Sequence, residues 1–162
     1  MEYMVRNIFL DLDETLIHTS MFGNDNSTVA VDVDGCNYYA SVRPGAKLLV
    51  NRMKQLGEVY MLTRATREYA IAMINAFDLG IDTNRVFDRK IVGSAGYRKI
   101  DVPPGKNFLI DDLPQSQNYE KIAVLKQIGP TKYIQISPYK GFKSQSLEPV
   151  EIERIVDTIV SV

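Results

Sequence analysis

The stretch Val5-Arg6-Asn7-Ile8-Phe9-Leu10-Asp11-Leu12-Asp13-Glu14-Thr15 decides how the rest of the chain is read. Val5 to Leu10 is a short, mostly apolar run with the length of a buried strand, and it ends abruptly in acidic residues. Asp11 and Asp13 stand two apart at that strand end, so an extended chain points both carboxylates to the same side. Two close carboxylates repel, and the pair is costly without a cation to hold it.

Outward from this strand, Asp11 to Asn26 turns polar and carries a Gly-Asn-Asp-Asn cluster, the mark of an exposed loop. Thr28 to Val33 and Tyr38 to Val42 are β-rich runs on either side of Asp34-Gly35, which predicts a hairpin. Pro44 then opens a helix that reaches Leu56, with Ala46, Leu49, Met53 and Leu56 on its buried stripe. Glu58 to Leu62 reads as a strand and Thr66 to Leu79 as a helix with Ala70, Ile74 and Phe77 inside. Val86-Phe87 and Ile91-Val92 read as short strands, and Gly93 to Gly105 as a loop. Asn107 to Ile110 is an apolar strand ending in Asp111-Asp112, and a further strand spans about Tyr133 to Ile136. Ser146 is placed to cap a last helix over Glu148 to Val160.

Strands alternating with helices predict an α/β fold with a mainly parallel central sheet covered on both faces. Ligands bind such sheets beyond the carboxyl ends of the strands. Asp11-Asp13, Thr63 and Asp111-Asp112 all follow strands, so they are expected at one edge despite their separation in the chain.

The bulk properties set bounds. A chain of 162 residues fits a single domain over 1–162 and buries roughly 70% of its unfolded surface. The 19 basic and 20 acidic residues nearly cancel, which argues against a general nucleic-acid binder. One cysteine, Cys36, and one histidine, His18, exclude an internal disulfide and a zinc site built on Cys and His ligands. No apolar run is long enough to cross a bilayer and the N-terminus lacks a signal-peptide pattern. The expectation is a cytoplasmic or nuclear protein without a membrane partner, a monomer or small oligomer. A Ser-His-Asp machine would need His18 as its base, and no GxSxG elbow is present.

The acidic edge suggests its own chemistry. Mg²⁺ is a hard ion that takes carboxylate, carbonyl and phosphate oxygens, which makes it the expected cofactor. A carboxylate beside it can attack a phosphoryl group to form an aspartyl-phosphate, and a neighbouring carboxyl can move the protons. The transferred oxygens then need a hydroxyl donor and a fixed positive charge, roles suited to Thr63 and a basic residue before Asp111.

At this point the chain resembles a family. The motifs D-L-D-E-T-L-I-H (Asp11 to His18), V-R-P-G (Val42 to Gly45), M-L-T-R-A (Met61 to Ala65), E-Y-A (Glu68 to Ala70) and L-I-D-D (Leu109 to Asp112) come in the order of the small C-terminal-domain phosphatases. That group, FCP/SCP-like and NLI-interacting-factor-like, lies within the haloacid dehalogenase superfamily and is related to the polymerase-tail phosphatases. The resemblance implies a Rossmann-like three-layer sandwich with a small hairpin insertion at about 28–43 and no large cap domain. It implies Asp11 as nucleophile and Asp13 as general acid/base. Thr63 becomes the phosphate-binding hydroxyl, Asp111 a magnesium ligand with Asp112 in support, and the backbone carbonyl of Asp13 a further ligand. For the family's phosphate-binding lysine, Lys99 has the best spacing before Asp111, with Arg98 and Lys106 as rivals. Arg64 departs from the small residue usual after the motif threonine; it either lines the pocket and contacts substrate or turns outward.

The implied activity is a phosphomonoesterase acting on phosphoserine or phosphothreonine in a flexible protein segment, which an uncapped site would admit. The alternatives are a small phosphorylated metabolite or a nucleic-acid 3′-phosphate end. Of a different class are a receiver-like module and an inactive phospho-segment binder. A receiver has its acidic pair first and its phospho-accepting aspartate on a later strand, the reverse of the order here. Among the remaining residues, Thr15 is expected to bond the backbone of the nucleophile loop and His18 to be satisfied within it. Arg43 is read as structural or at the substrate edge.

Overall fold

Residues alternate in facing along each central strand, and that alternation builds two separate cores. The computed structural model describes residues 5–22, 28–93 and 99–162. Its main sheet has the order β6-β5-β1-β7-β8, formed by β1 (Val5–Leu10), β5 (Glu58–Leu62), β6 (Val86–Phe87), β7 (Gly105–Asp111) and β8 (Thr131–Gln135). Every pairing in it is parallel. Ile8, Leu10, Val59, Met61, Phe108 and Ile110 face one way, into the larger core. There they meet α1 (Ala46–Leu56), α2 (Arg67–Phe77) and α5 (Pro149–Val160). Phe9, Tyr60, Leu62 and Leu109 face the other way, onto α3 (Arg89–Val92) and α4 (Tyr119–Lys126).

A second sheet, antiparallel and of order β2-β4-β3, joins β2 (Ile17–Ser20), β3 (Val29–Val33) and β4 (Cys36–Val42). Asp34 and Gly35 connect β3 to β4 with φ of 51° and 83°, the double left-handed turn that matches strand twist. The predicted hairpin is therefore present, but it gains β2 as a third strand. The sequence reads Ile17 to Ser20 as loop because only Ile17 is buried; its register against Val42 makes it a strand.

Three further expectations change. Ile91-Val92 is helical, because the Asp88 side chain accepts from Lys90 N and caps a turn that outweighs β-branched preference. The last helix starts at Pro149 with Glu148 in the capping position, while the Ser146 hydroxyl donates to Glu148 Oε1. α4 lies where no helix is predicted. No helix among the described residues is long and apolar enough to cross a membrane.

Candidate functional site

In the main sheet β1 is central, with β5 on one side and β7 on the other. The chain leaves β1 first toward β5 and only later returns to β7, so a switch point opens at the carboxyl end of β1. Asp11 follows β1 and its N–H donates to Ile110 O at 3.1 Å. Thr63 follows β5 and donates its N–H to Phe87 O at 2.9 Å. Asp111 closes β7. The convergence expected from the sequence is therefore what the topology produces.

Asp11, Asp111 and Asp112 each offer one carboxylate oxygen within 4.8 Å of the others. Two such charges at about 4 Å repel by about 4 kcal/mol in the effective dielectric near a protein surface. The structure partly offsets this with Lys121. Its Nζ is 2.8 Å from Asp11 Oδ1 and 2.8 Å from Asp111 Oδ2, and the residue is 1% exposed. Burial alone would lower the affinity of the Lys121 ammonium for its proton, but Asp11 and Asp111 outweigh it and hold the ammonium above its ordinary value. Burial raises the Asp11 carboxyl, against the pull of Lys121 and with help from Asp111. Burial, then Asp111, likewise raises Asp112. One ammonium thus faces three carboxylates. The surplus of hard oxygen donors fits a divalent cation such as Mg²⁺, with Asp11, Asp111 and Asp112 as side-chain ligands.

The loop after β1 is tightly tied. Leu12 O accepts from Leu16 N at 2.8 Å, and Glu14 takes a left-handed φ of 66°, sparsely populated for a residue with a side chain. Thr15 bonds carboxylates rather than backbone: its hydroxyl is 2.9 Å from Asp11 Oδ2 and 3.2 Å from Asp112 Oδ1. His18 Nδ1 is 3.2 Å from Glu14 Oε2, so the histidine is satisfied within the loop as expected. Asp13 Oδ1 accepts from Tyr69 OH at 2.7 Å. Burial pushes the Asp13 carboxyl up to about 6, a rise that the Tyr69 hydrogen bond opposes and Asp11 and Glu14 reinforce.

Arg43 is structural. Fully buried, it donates from Nε to Gln145 O at 2.8 Å, from Nη1 to Ser137 O at 2.7 Å and Thr15 O at 3.3 Å, and from Nη2 to Ser137 Oγ at 3.0 Å. It binds the nucleophile loop to the segment before α5.

Thr63 is 1% exposed and its Oγ1 accepts from Ala65 N at 3.1 Å, which leaves its own hydroxyl proton to donate elsewhere. Arg64 turns to α4: Nη2 donates to Asn118 Oδ1 at 2.6 Å and Nη1 is 3.5 Å from Glu120 Oε1. Lys99 is exposed, and Arg98 lies outside the described residues. Lys106 donates to Val162 O and pairs in register with Arg6, five residues back from Asp111. At about 3.3 Å per residue it sits roughly 16 Å from the acidic edge. Sequence reasoning looked before Asp111 for the positive charge; the structure puts one after it. The available signal was Lys121, Val124 and Leu125 at i, i+3 and i+4, an apolar stripe with a lysine in one of its places.

Comparison with known proteins agrees with this arrangement. The model of NLI interacting factor-like phosphatases matches residues 6–149. An RNA polymerase II C-terminal domain phosphatase of Caenorhabditis elegans is 28% identical over 90% of this chain and 24% of its own length. The human CTD small phosphatase-like protein is 29% identical over 72% of this chain and 46% of its own length. This chain thus spans between about a quarter and a half of the curated relatives it matches. Among solved structures, Fcp1, an essential RNA polymerase II CTD phosphatase, superimposes with a TM-score of 0.56 at 17% identity, over 96% of this chain and 49% of that one. A fission yeast Fcp1 variant bound to beryllium fluoride gives a TM-score of 0.54 at 18% identity, over 96% of this chain and 50% of its own.

Proposed function

Because the chain belongs to the family of NLI interacting factor-like phosphatases, we propose that it is a Mg²⁺-dependent phosphomonoesterase acting through an aspartyl-phosphate on Asp11. The observation that carries this reading is the cluster of Asp11, Asp111 and Asp112 around Lys121 at the switch point of the sheet. A bound Mg²⁺ would neutralise part of the phosphoryl charge and hold the group in line.

The chain's own residues supply the rest. An Asp11 carboxylate oxygen forms a bond to phosphorus as the ester P–O bond breaks, and the leaving oxygen takes a proton from Asp13. Water then attacks the same phosphorus and gives its proton to Asp13, which releases phosphate and restores the Asp11 carboxylate. Lys121 has three N–H donors, of which Asp11 and Asp111 occupy two; the third can meet a phosphoryl oxygen. Thr63 can donate its hydroxyl to another. We assign the phosphate-binding charge to Lys121 rather than Lys99, on the strength of its burial and its contacts, and leave Arg64 as a brace on α4.

The substrate reading is phosphoserine or phosphothreonine in an extended protein segment. Two observations support it. The insertion between β1 and α1 amounts to the β2-β4-β3 sheet, and a site without a large cap admits a chain as well as a small molecule. The relatives are named as phosphatases of the RNA polymerase II C-terminal domain.

Phosphate release from 4-nitrophenyl phosphate and from a panel of phosphoserine and phosphothreonine peptides, with Mg²⁺ and with EDTA, tests both halves. Mg²⁺-dependent release from both substrates is expected. Release from the aryl ester alone would redirect the substrate to a metabolite or a nucleic-acid end. No release from either, by folded protein, would leave a phospho-segment binder.

A further inference from the structure

Asp13 is gripped by a side chain that its role does not require. Tyr69 lies in the first turn of α2, after the capping Thr66, and is 8% exposed. Its hydroxyl is 2.7 Å from Asp13 Oδ1 and 2.9 Å from Thr19 Oγ1, on β2. Burial and the neighbouring Asp13 push the Tyr69 phenol well above its usual range, so it stays protonated and donates. Having one proton, it donates to Asp13, and the Thr19 hydroxyl donates to the phenol oxygen. Tyr38, on β4, packs its edge against the Tyr69 ring at 5.1 Å between centroids and 77° between planes. The phenol is thus fixed by α2 on one side and by two strands of the small sheet on the other.

We propose that Tyr69 is a positioning residue for leaving-group protonation, holding Asp13 by Oδ1 so that Oδ2 faces the ester oxygen, with Thr19 and Tyr38 of the insertion bracing it. This rests on the phosphatase reading above. When the P–O bond breaks and the Oδ2 proton moves to the leaving oxygen, negative charge returns to the Asp13 carboxyl. The phenol O–H already points at that group, so its hydrogen bond strengthens as the charge develops, at no cost in reorganisation. A hydrogen bond to a charged group of this kind corresponds to roughly tenfold to a hundredfold in rate. The small sheet therefore contributes to the chemistry as well as walling the site: a shift of β2 against α2 would turn the acid away from the ester.

Tyr69→Phe keeps the ring and its stack with Tyr38 and removes only the hydroxyl. The test measures kcat/KM, which reports steps through the first P–O cleavage, on two esters of similar shape: 4-nitrophenyl phosphate and phenyl phosphate. Nitrophenolate leaves without help, whereas phenolate needs the proton. In Tyr69→Phe, kcat/KM is expected to fall by about tenfold or more on phenyl phosphate and by less than about threefold on the nitrophenyl ester. Asp13→Asn should show the same leaving-group pattern more strongly, and Thr19→Val the same pattern more weakly. An equal loss on both esters would mark Tyr69 as a packing or binding residue and overturn the proposal. No loss on either would overturn it as well. Wild-type turnover of both esters, measured first, separates these outcomes from a failure of the phosphatase reading.

Discussion

Lys121 Nζ donates to Asp11 Oδ1 at 2.8 Å across 110 positions of sequence, from a side chain that is almost wholly buried. A buried ammonium is expensive unless carboxylates surround it, and here Asp11 and Asp111 both do. The pairing is mutual: it lets the carboxylates crowd one another, and it fixes a positive charge beside the proposed nucleophile.

Replacing Lys121 with alanine removes that charge and leaves Asp11 and Asp111 buried without a counter-ion. We expect kcat to fall by about a hundredfold to a thousandfold, the usual loss for a positioned electrostatic stabiliser. Lys99→Ala and Lys106→Ala should remain within about twofold of wild type, since one side chain is exposed and the other lies at the far edge of the sheet. Steady-state kinetics of the three variants on 4-nitrophenyl phosphate decide it, and a larger loss in Lys99→Ala would reverse the assignment.

The contrast between Asp11 and Lys121 shows where sequence reading reaches and where it stops. Asp11, Thr63 and Asp111 were legible because each ends an apolar run, and a parallel sheet gathers strand ends whatever their spacing. Lys121 was hidden because it stands at a core-facing position of α4 and breaks the apolar stripe that would have announced the helix. β2 escaped for the opposite reason: Ile17 alone faces the core, so His18, Thr19 and Ser20 read as loop until β4 pairs with them. Tyr69 was visible as part of a motif, but its hydroxyl contact depends on how α2 meets the small sheet. No local pattern encodes that.

Asp11→Asn should abolish turnover while the protein folds at least as well as wild type. The substitution removes one of three crowded carboxylates, and Lys121 keeps Asp111 as its partner. In metal-free buffer we expect a Tm equal to wild type or higher, by roughly 2–4 °C for each kcal/mol of repulsion relieved. A thermal melt with EDTA, beside a turnover assay with Mg²⁺, checks both. Retained turnover would remove Asp11 from the nucleophile's role.

If Asp11, Asp111 and Asp112 hold a divalent ion, Mg²⁺ should stabilise the folded state by mass action. At a free concentration of about 100 times its Kd the gain is about 2.7 kcal/mol. Asp111→Asn should lose most of that gain, because Asp111 is wholly buried and within 4.8 Å of the other two ligand oxygens. Melts at increasing Mg²⁺ for wild type and variant read the difference. A wild-type Tm that ignores Mg²⁺ would exclude this cluster as the metal site.

Arg43 supports the same loop from beneath. Its guanidinium donates to three backbone carbonyls, those of Thr15, Ser137 and Gln145, and to the Ser137 hydroxyl. Methionine at this position would fill much of the space but leave those buried acceptors unsatisfied, at a cost of about 3 kcal/mol or more. Lysine would keep the charge yet lack the planar fork that reaches Ser137 and Gln145 together, so Arg43→Lys should recover little. Thr15 is also the residue whose hydroxyl bridges Asp11 and Asp112, so loosening its carbonyl should carry into turnover. Urea unfolding of both variants, paired with kcat measured well below the unfolding midpoint, separates the two effects. A variant that loses stability with kcat unchanged would confine Arg43 to the fold; one that loses both would show that the anchor beneath Thr15 sets the geometry of the carboxylates above it.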